Sequence, residues 1–336
     1  MPMVKCTSSM DTANPQVMPA PPSLMKSLVS GFESVSNHFA LILFPVMIDL
    51  VLWFGPKISL QSFLAPLINQ VGTSSSEQLL QAALQKYNLL NVIRSFPIGV
   101  PSLMATRNPE LSPLGQVWSW DIQTPQSILI VWICLSVVGL LVGTIYFLFV
   151  ARAATGLEKP GDHPVSYFGR LYFKTLKLML VWFAILLGLS LPFACVIIFL
   201  GLLGIGTGAL ALMPMVFLAA WFILPLFFSP HAMILKNQDV LASIRDSTQV
   251  VRSTLPVSGI LILLVMVLSE GLDVLWKLPA ETSWLSLVGV AAHAFVNTSL
   301  LAATFIYFHD ADKWLQQMLS QNNSTPLWEL KRKNRL

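Results

Sequence analysis

The chain has 336 residues, of which 55% are hydrophobic and only 11% charged, where a soluble domain carries about 25% charged residues. With a mean hydropathy of +0.70 it has too little polar surface to cover a water-soluble globule, and an integral membrane protein is expected. The net charge of +4 does not mark a nucleic-acid surface, because the basic residues are not interleaved with aromatics.

Residues 1–22 are rich in Pro, Ser and Met, with Lys5 and Asp11 as their charges. They lack a basic start followed by an apolar stretch, so they read as a disordered cytoplasmic tail and not a secretory signal. A membrane span needs about 20 apolar residues, and six stretches supply it, near 39–55, 127–150, 178–199, 208–228, 255–276 and 283–308. The third and fourth share one uncharged run, with a turn expected at 201–207, where glycines permit a reversal. Residues 311–336 then form a cytoplasmic C-terminal tail.

Residues 56–125, between spans one and two, are too patterned for a plain loop. Ser74-x-x-Glu77 is a capping box, followed at helical spacing by Leu79, Leu80, Ala83, Leu84, Tyr87 and Leu90. Residues 58–71 are also helix-like, and Pro97, Pro101, Pro109 and Pro113 break the remainder. The pattern predicts an extracytoplasmic insertion of two short amphipathic helices and a Pro-rich loop lying over the outer mouth of the bundle.

Six spans place both termini on one side, and the basic residues choose it. With the N-terminus, 152–177, 229–254 and the C-terminal tail in the cytoplasm, all of the 20 Lys and Arg lie inside except Lys57, Lys86, Arg94, Arg107 and Lys277. Trp53, Trp118, Trp120, Trp276 and Trp284 then fall at the outer interface, where an indole is half wet.

An amphipathic segment precedes each pair of spans on the cytoplasmic side: SLMKSLVSGFESVSNHFALIL, HPVSYFGRLYFKTLKLMLVWF and DVLASIRDSTQVVRSTLPVSGIL. Three units of interfacial helix plus hairpin suggest a pseudo-threefold bundle. The segment FFSPHAMILKNQDVLASIRDSTQVVRSTLPVSGILIL, with Pro230, Ala242, Ser243, Ser247 and Arg252, resembles the six-span membrane domain fused to some glycerophosphodiester phosphodiesterases and found in related bacterial proteins, over about 225–310. That resemblance implies a cell (inner) membrane protein. The catalytic domain of that family is not expected within these residues, where no room remains for a barrel of about 250 residues.

Ionisable groups inside spans mark candidate sites. Asp49 lies in span one towards the outside. His293 and Asn297 stand one turn apart on one face of span six at a similar depth. With Glu270 and Asp273, near the end of span five, they form a candidate polar cluster. An Asp–His pair in low dielectric binds a proton or orients a polar ligand, whereas interhelical hydrogen bonds fixing the packing would give the same pattern. His309, Asp310 and Asp312 read as solvated polar residues at a helix end. Gly139-x-x-x-Gly143 and Gly204-x-x-x-Gly208 allow close helix packing. Cys134 and Cys195 read as small buried hydrophobes, and with Cys6 they form no Cys-x-x-Cys metal or redox pair.

No Gly-x-Ser-x-Gly elbow, Walker loop or His-Glu-x-x-His motif occurs, so neither catalysis, a metal nor a cofactor is expected. The sequence therefore predicts an all-α, six-span membrane protein. Its partners are the lipid bilayer and other membrane proteins, not nucleic acid. Its role is that of a scaffold, assembly or accessory subunit; the alternative is a small-molecule or lipid permease using the outer polar cluster.

Overall fold

The fold was analysed in a computed structural model, which describes residues 21–71, 87–157, 163–202 and 221–324, with single positions 81, 84, 213 and 217. Its order is α1 (Leu24–Asn37), a 3₁₀ turn (Phe39–Ile42), α2 (Leu43–Phe54), β1 (Lys57–Ser59), α3 (Gln61–Val71), a second 3₁₀ turn (Leu89–Arg94), α4 (Leu103–Arg107), the short strands β2 (Leu111–Ser112), β3 (Gly115–Gln116) and β4 (Ser119–Asp121), then α5 (Pro125–Thr155), α6 (Pro164–Leu202), α7 (Ser229–Lys236), α8 (Val240–Ser253), α9 (Leu255–Trp276) and α10 (Ser286–Ser324). The protein is all-α apart from these short strands.

Helix ends follow local chemistry. Ser23 caps α1 by accepting the Lys26 N–H, and Thr124 caps α5 by accepting that of Ser127, with Pro125 in the first turn, where a missing N–H costs nothing. Gly156 ends α5 at φ +66°, a left-handed conformation that side chains resist. Helices α5, α6, α9 and α10 are long and apolar enough to cross a membrane, and the α1–α2 pair, bent by 92°, makes a fifth if counted as one span. This is compatible with a membrane location. The expected fourth span, 208–228, lies largely outside the described residues, as do residues 203–207 of the expected turn.

α10 is the central helix. Over its apolar stretch 56% is buried inside the protein, against 28% for α5, 17% for α9 and none for α6. α1 lies along it, with Leu28, Gly31 and Val35 turned inward. A Cβ on Gly31 would stand 2.6 Å from the Ser299 carbonyl oxygen, so only glycine permits that approach. Helix α6 turns Leu180, Phe183, Leu191 and Phe199 outward.

Several boundaries differ from expectation. The amphipathic segment entering span three is not a separate helix. It is continuous with the span in the 39-residue α6, because no proline falls between Pro164 and Pro192 and the helix continues past Pro192. α10 does not stop at 308 but runs to Ser324, so the expected C-terminal tail begins as helix. Cys134 and Cys195 are exposed, not buried, on the outward faces of α5 and α6: an apolar neighbourhood in sequence does not distinguish a core face from an outer apolar face.

The insertion also carries short strands that were not expected. α3 is present, but the capping box and most of the second helix lie outside the described residues. β1 pairs in parallel with β4, and β2 with β3 as a hairpin. The buried Asn88 side chain accepts from the N–H groups of Ile58 and Leu90 at 2.9 and 3.0 Å, joining β1 to the second 3₁₀ turn.

Residues 91–101 do not lie over the mouth of the bundle. They enter it. The backbone of Ile93 packs on Gly139, where a Cβ would overlap the Ile93 carbonyl, and that of Ile98 packs on Gly143, 2.5 Å from where a Cβ would stand. Gly139 stands at the midpoint of the 31-residue α5, roughly 20 Å from either end. The Gly139-x-x-x-Gly143 pair therefore receives the end of the second 3₁₀ turn and the loop after it, not another α-helix. Gly204 and Gly208 lie outside the described residues.

Candidate functional site

Two features meet where the inserted loop, α2, α9 and α10 come together: a chain of buried polar side chains and an apolar cavity.

The polar chain begins at Asp49, fully buried on α2. Its Oδ1 accepts from the Ser102 hydroxyl at 2.5 Å and the Met104 N–H at 2.8 Å. Ser102 in turn caps α4 by accepting the Ala105 N–H at 3.1 Å. Asp49 thus anchors the segment that follows the inserted loop. Across from it, His293 Nδ1 stands 2.7 Å from Asp273 Oδ1. A carboxylate only accepts, so Nδ1 carries the proton. The other Asp273 oxygen lies 3.3 Å from both the Thr106 hydroxyl and Lys277 Nζ. Asn297, one turn beyond His293, donates to the His293 carbonyl at 3.1 Å and accepts from Ser269 at 2.6 Å. Two buried atoms of this chain have no hydrogen-bond partner among the described residues: Asp49 Oδ2 and His293 Nε2.

Of the five residues expected in the cluster, Asp273, His293 and Asn297 are joined by hydrogen bonds. Asp49 stands beside them through Ser102–Thr106, and Glu270 is exposed on α9 and takes no part. Ser102, Thr106 and Lys277 belong to the site without having been singled out. Ser102-Leu-Met-Ala is a cap followed by a helical turn, a signal hidden inside a Pro-rich run. Next to the cluster, Arg107 donates to the Pro279 carbonyl at 2.6 Å and pairs with Glu281 at 3.3 Å, while Trp53 Nε1 donates to the Glu281 carbonyl at 3.2 Å. These contacts fasten the insertion to the α9–α10 turn.

The cavity has a volume of about 980 Å³ and lies between the inserted loop, α5, α6, α7 and α10. Its wall is largely apolar, with Trp132, Met179, Phe183 and Leu301 among its residues. Asn297 reaches it, so cavity and polar chain share a residue. Arg94 is the one charged side chain lining it among the described residues, and it makes no hydrogen bond or ion pair with any of them. His231, buried among Phe147, Phe227, Phe228 and Phe305, also lines it, with Nε2 2.8 Å from the Thr304 hydroxyl and Nδ1 without a partner among the described residues. Nothing in the sequence singles out Arg94, since a lone arginine ahead of a Pro-rich stretch reads as loop surface.

A second ionic group sits at the opposite end of α10. Lys236 of α7 contacts Asp246 of α8 and Asp312 of α10, each at 2.7 Å. Gln238 donates to Asp246 at 3.0 Å and Gln316 to Asp312 at 2.8 Å. Burial alone would lower the Lys236 pKa, but the two carboxylates outweigh it and hold the ammonium above its ordinary value. Asp312, expected to be a solvated helix-end residue, is instead part of this network, while His309 and Asp310 remain partly exposed, 3.6 Å apart.

The fold and site define an all-α protein in which a broken segment, a 3₁₀ turn followed by a loop, enters a helical bundle beside a buried polar chain. No protein-family model matches the chain, and no curated protein or solved structure is detectably similar to it.

Proposed function

We propose that this is a polytopic membrane protein that binds an amphiphile with an anionic headgroup inside its helical bundle and passes it through the membrane. Arg94 carries the reading: a guanidinium without a partner among the described residues, lining a largely apolar cavity of about 980 Å³ and held at the end of a 3₁₀ turn beside the middle of α5. An arginine at such depth is costly unless it meets an anion or water. Irregular backbone is tolerated there only when buried in protein or lining a cavity. Secondary transporters place their substrate sites near the membrane midplane on interrupted elements of this kind. The outward apolar residues of α6 and α9 support the membrane assignment, and the basic-residue distribution supports cytoplasmic termini with the insertion outside.

The test is to purify the chain in mild detergent and analyse its co-purifying amphiphiles by mass spectrometry. An anionic class retained by the unaltered protein and lost from Arg94→Gln, with the melting temperature preserved, is the expected result. A chain that emerges empty, or an Arg94→Gln protein that keeps the same ligand, overturns it.

A scaffold or accessory subunit is the second reading. It is favoured by Leu114 and Trp118, which are 76% and 70% exposed on the insertion and would suit a membrane partner. A stoichiometric protein in the same purification would support it. The resemblance of 225–310 to domains fused to glycerophosphodiester phosphodiesterases belongs with the first reading, as a link to phosphate-bearing ligands.

A further inference from the structure

The inserted loop leaves main-chain donors over. Arg94 closes the second 3₁₀ turn, and Ser95 follows it at φ +47°, a conformation that a residue other than glycine rarely adopts. Two hydrogen bonds hold Ser95 there. Its N–H donates to the Val92 carbonyl at 2.9 Å, and its hydroxyl donates to the Ile98 carbonyl at 2.5 Å. The chain doubles back until Gly99 lies against Arg94, so closely that a Cβ on Gly99 would overlap the Arg94 carbonyl. Beyond Ser95, the N–H groups of Phe96, Gly99 and Val100 have no acceptor among the described residues. All three residues line the cavity, as Arg94 does, and no Asp or Glu lines it among the described residues. Donors left without acceptors at the depth of a span's middle are costly, and strain such as that at Ser95 persists where the surrounding structure enforces it.

The number of these donors selects the anion. A carboxylate meets an arginine edge to edge, and that planar pair uses both of its oxygens. A phosphate monoester has three terminal oxygens, so two can face a guanidinium while the third accepts from the main chain. Resting on the reading of the cavity as an amphiphile site, we propose that Arg94 and the N–H groups of Phe96, Gly99 and Val100 form one anion site. Its ligand is a terminal phosphate monoester on an apolar tail, selected over a carboxylate. The apolar wall, with Trp132, Met179 and Phe183, takes the tail. Ser95 is the positioning residue, because its hydroxyl fixes the turn that brings Gly99 to Arg94.

The test titrates the full-length chain in non-ionic detergent with dodecyl phosphate, dodecanoate and inorganic phosphate. One additional hydrogen bond to a charged group is worth about tenfold in affinity. Dodecyl phosphate should outbind dodecanoate by that factor or more, and it should slow hydrogen–deuterium exchange across residues 94–101 more than dodecanoate does. This comparison needs no variant. Equal affinities, both lost in Arg94→Gln, would leave the amphiphile site standing and overturn the main-chain donors. If neither tailed probe bound, or if Arg94→Gln bound both unchanged, the amphiphile site itself would fall and the phosphate site with it. Inorganic phosphate bound as tightly as dodecyl phosphate would keep the anion site, make free phosphate its ligand and overturn the tail. Ser95→Ala separates donor geometry from charge, since it leaves Arg94 in place. Its affinity for dodecyl phosphate should fall about tenfold, towards that for dodecanoate, with dodecanoate binding and the melting temperature preserved. A preference for phosphate that survived Ser95→Ala would be one of charge alone and would overturn the proposal.

Discussion

The two ends of α10 each hold buried or half-buried charges, and they are finished to different degrees. At one end Lys236 lies between Asp246 and Asp312, and each carboxylate has a further amide donor from Gln238 or Gln316. Every group there is matched, and the network joins α7, α8 and α10 and nothing more. At the other end Asp49 and His293 are each bonded through one atom and, among the described residues, without a partner at the other. Native interiors leave few polar atoms unmatched, and the exceptions call for an occupant or a change of state. The lesson is that charge burial alone does not mark function; incomplete matching does.

The largest effect expected at the unmatched end comes from Asp49→Ala. It strips the acceptor from the Ser102 hydroxyl and the Met104 N–H and leaves both buried, which costs about 2–4 kcal/mol. A thermal melt of the purified chain reads this as a large drop in melting temperature at every pH. A loss below about 1 kcal/mol, the worth of an ordinary exposed contact, would show that Asp49 does not anchor the insertion. Gly139→Leu comes next. Its side chain occupies the place of the Ile93 backbone, and overpacking of this kind costs about 1–3 kcal/mol. The inserted loop should be expelled, so a cysteine placed at Ser95 should gain reactivity towards a water-soluble thiol reagent and ligand retention should fall. Unchanged reactivity would put residues 93–98 elsewhere.

How far the sequence made this legible depends on the range over which each signal acts. The long apolar runs announce helices directly, and α9 covers 255–276 because burial or lipid contact selects residues one by one along it. The all-α class follows from such runs. Asp273, His293 and Asn297, which the fold joins by hydrogen bonds, were also legible, since polar groups stand out in apolar helices. What it did not announce was position in the third dimension. Glu270 and Asp273 differ by less than a turn, yet one is exposed and the other is buried against His293. Gly139-x-x-x-Gly143 correctly marks a close approach, but a glycine pair cannot say whether a helix or a loop will fill it. The entry of residues 91–101 rests on that fit and on contacts far apart in the chain, so composition, which reads Pro and Ser as surface, points the wrong way.

The smallest effects belong to the matched end. Lys236→Ala removes two ion pairs that are partly open to solvent. Water and salt screen such contacts, and the surviving amide donors still serve both carboxylates, so about 1 kcal/mol is expected. The pH dependence carries more information than the size. The folded-state pKa of Lys236 is raised above the ordinary value of 10.5, so its contribution is complete below that value and is lost as pH rises through the raised one. Between neutral pH and about pH 9 the loss from Lys236→Ala should therefore be constant, and its gap from the unaltered chain should close only in stronger alkali.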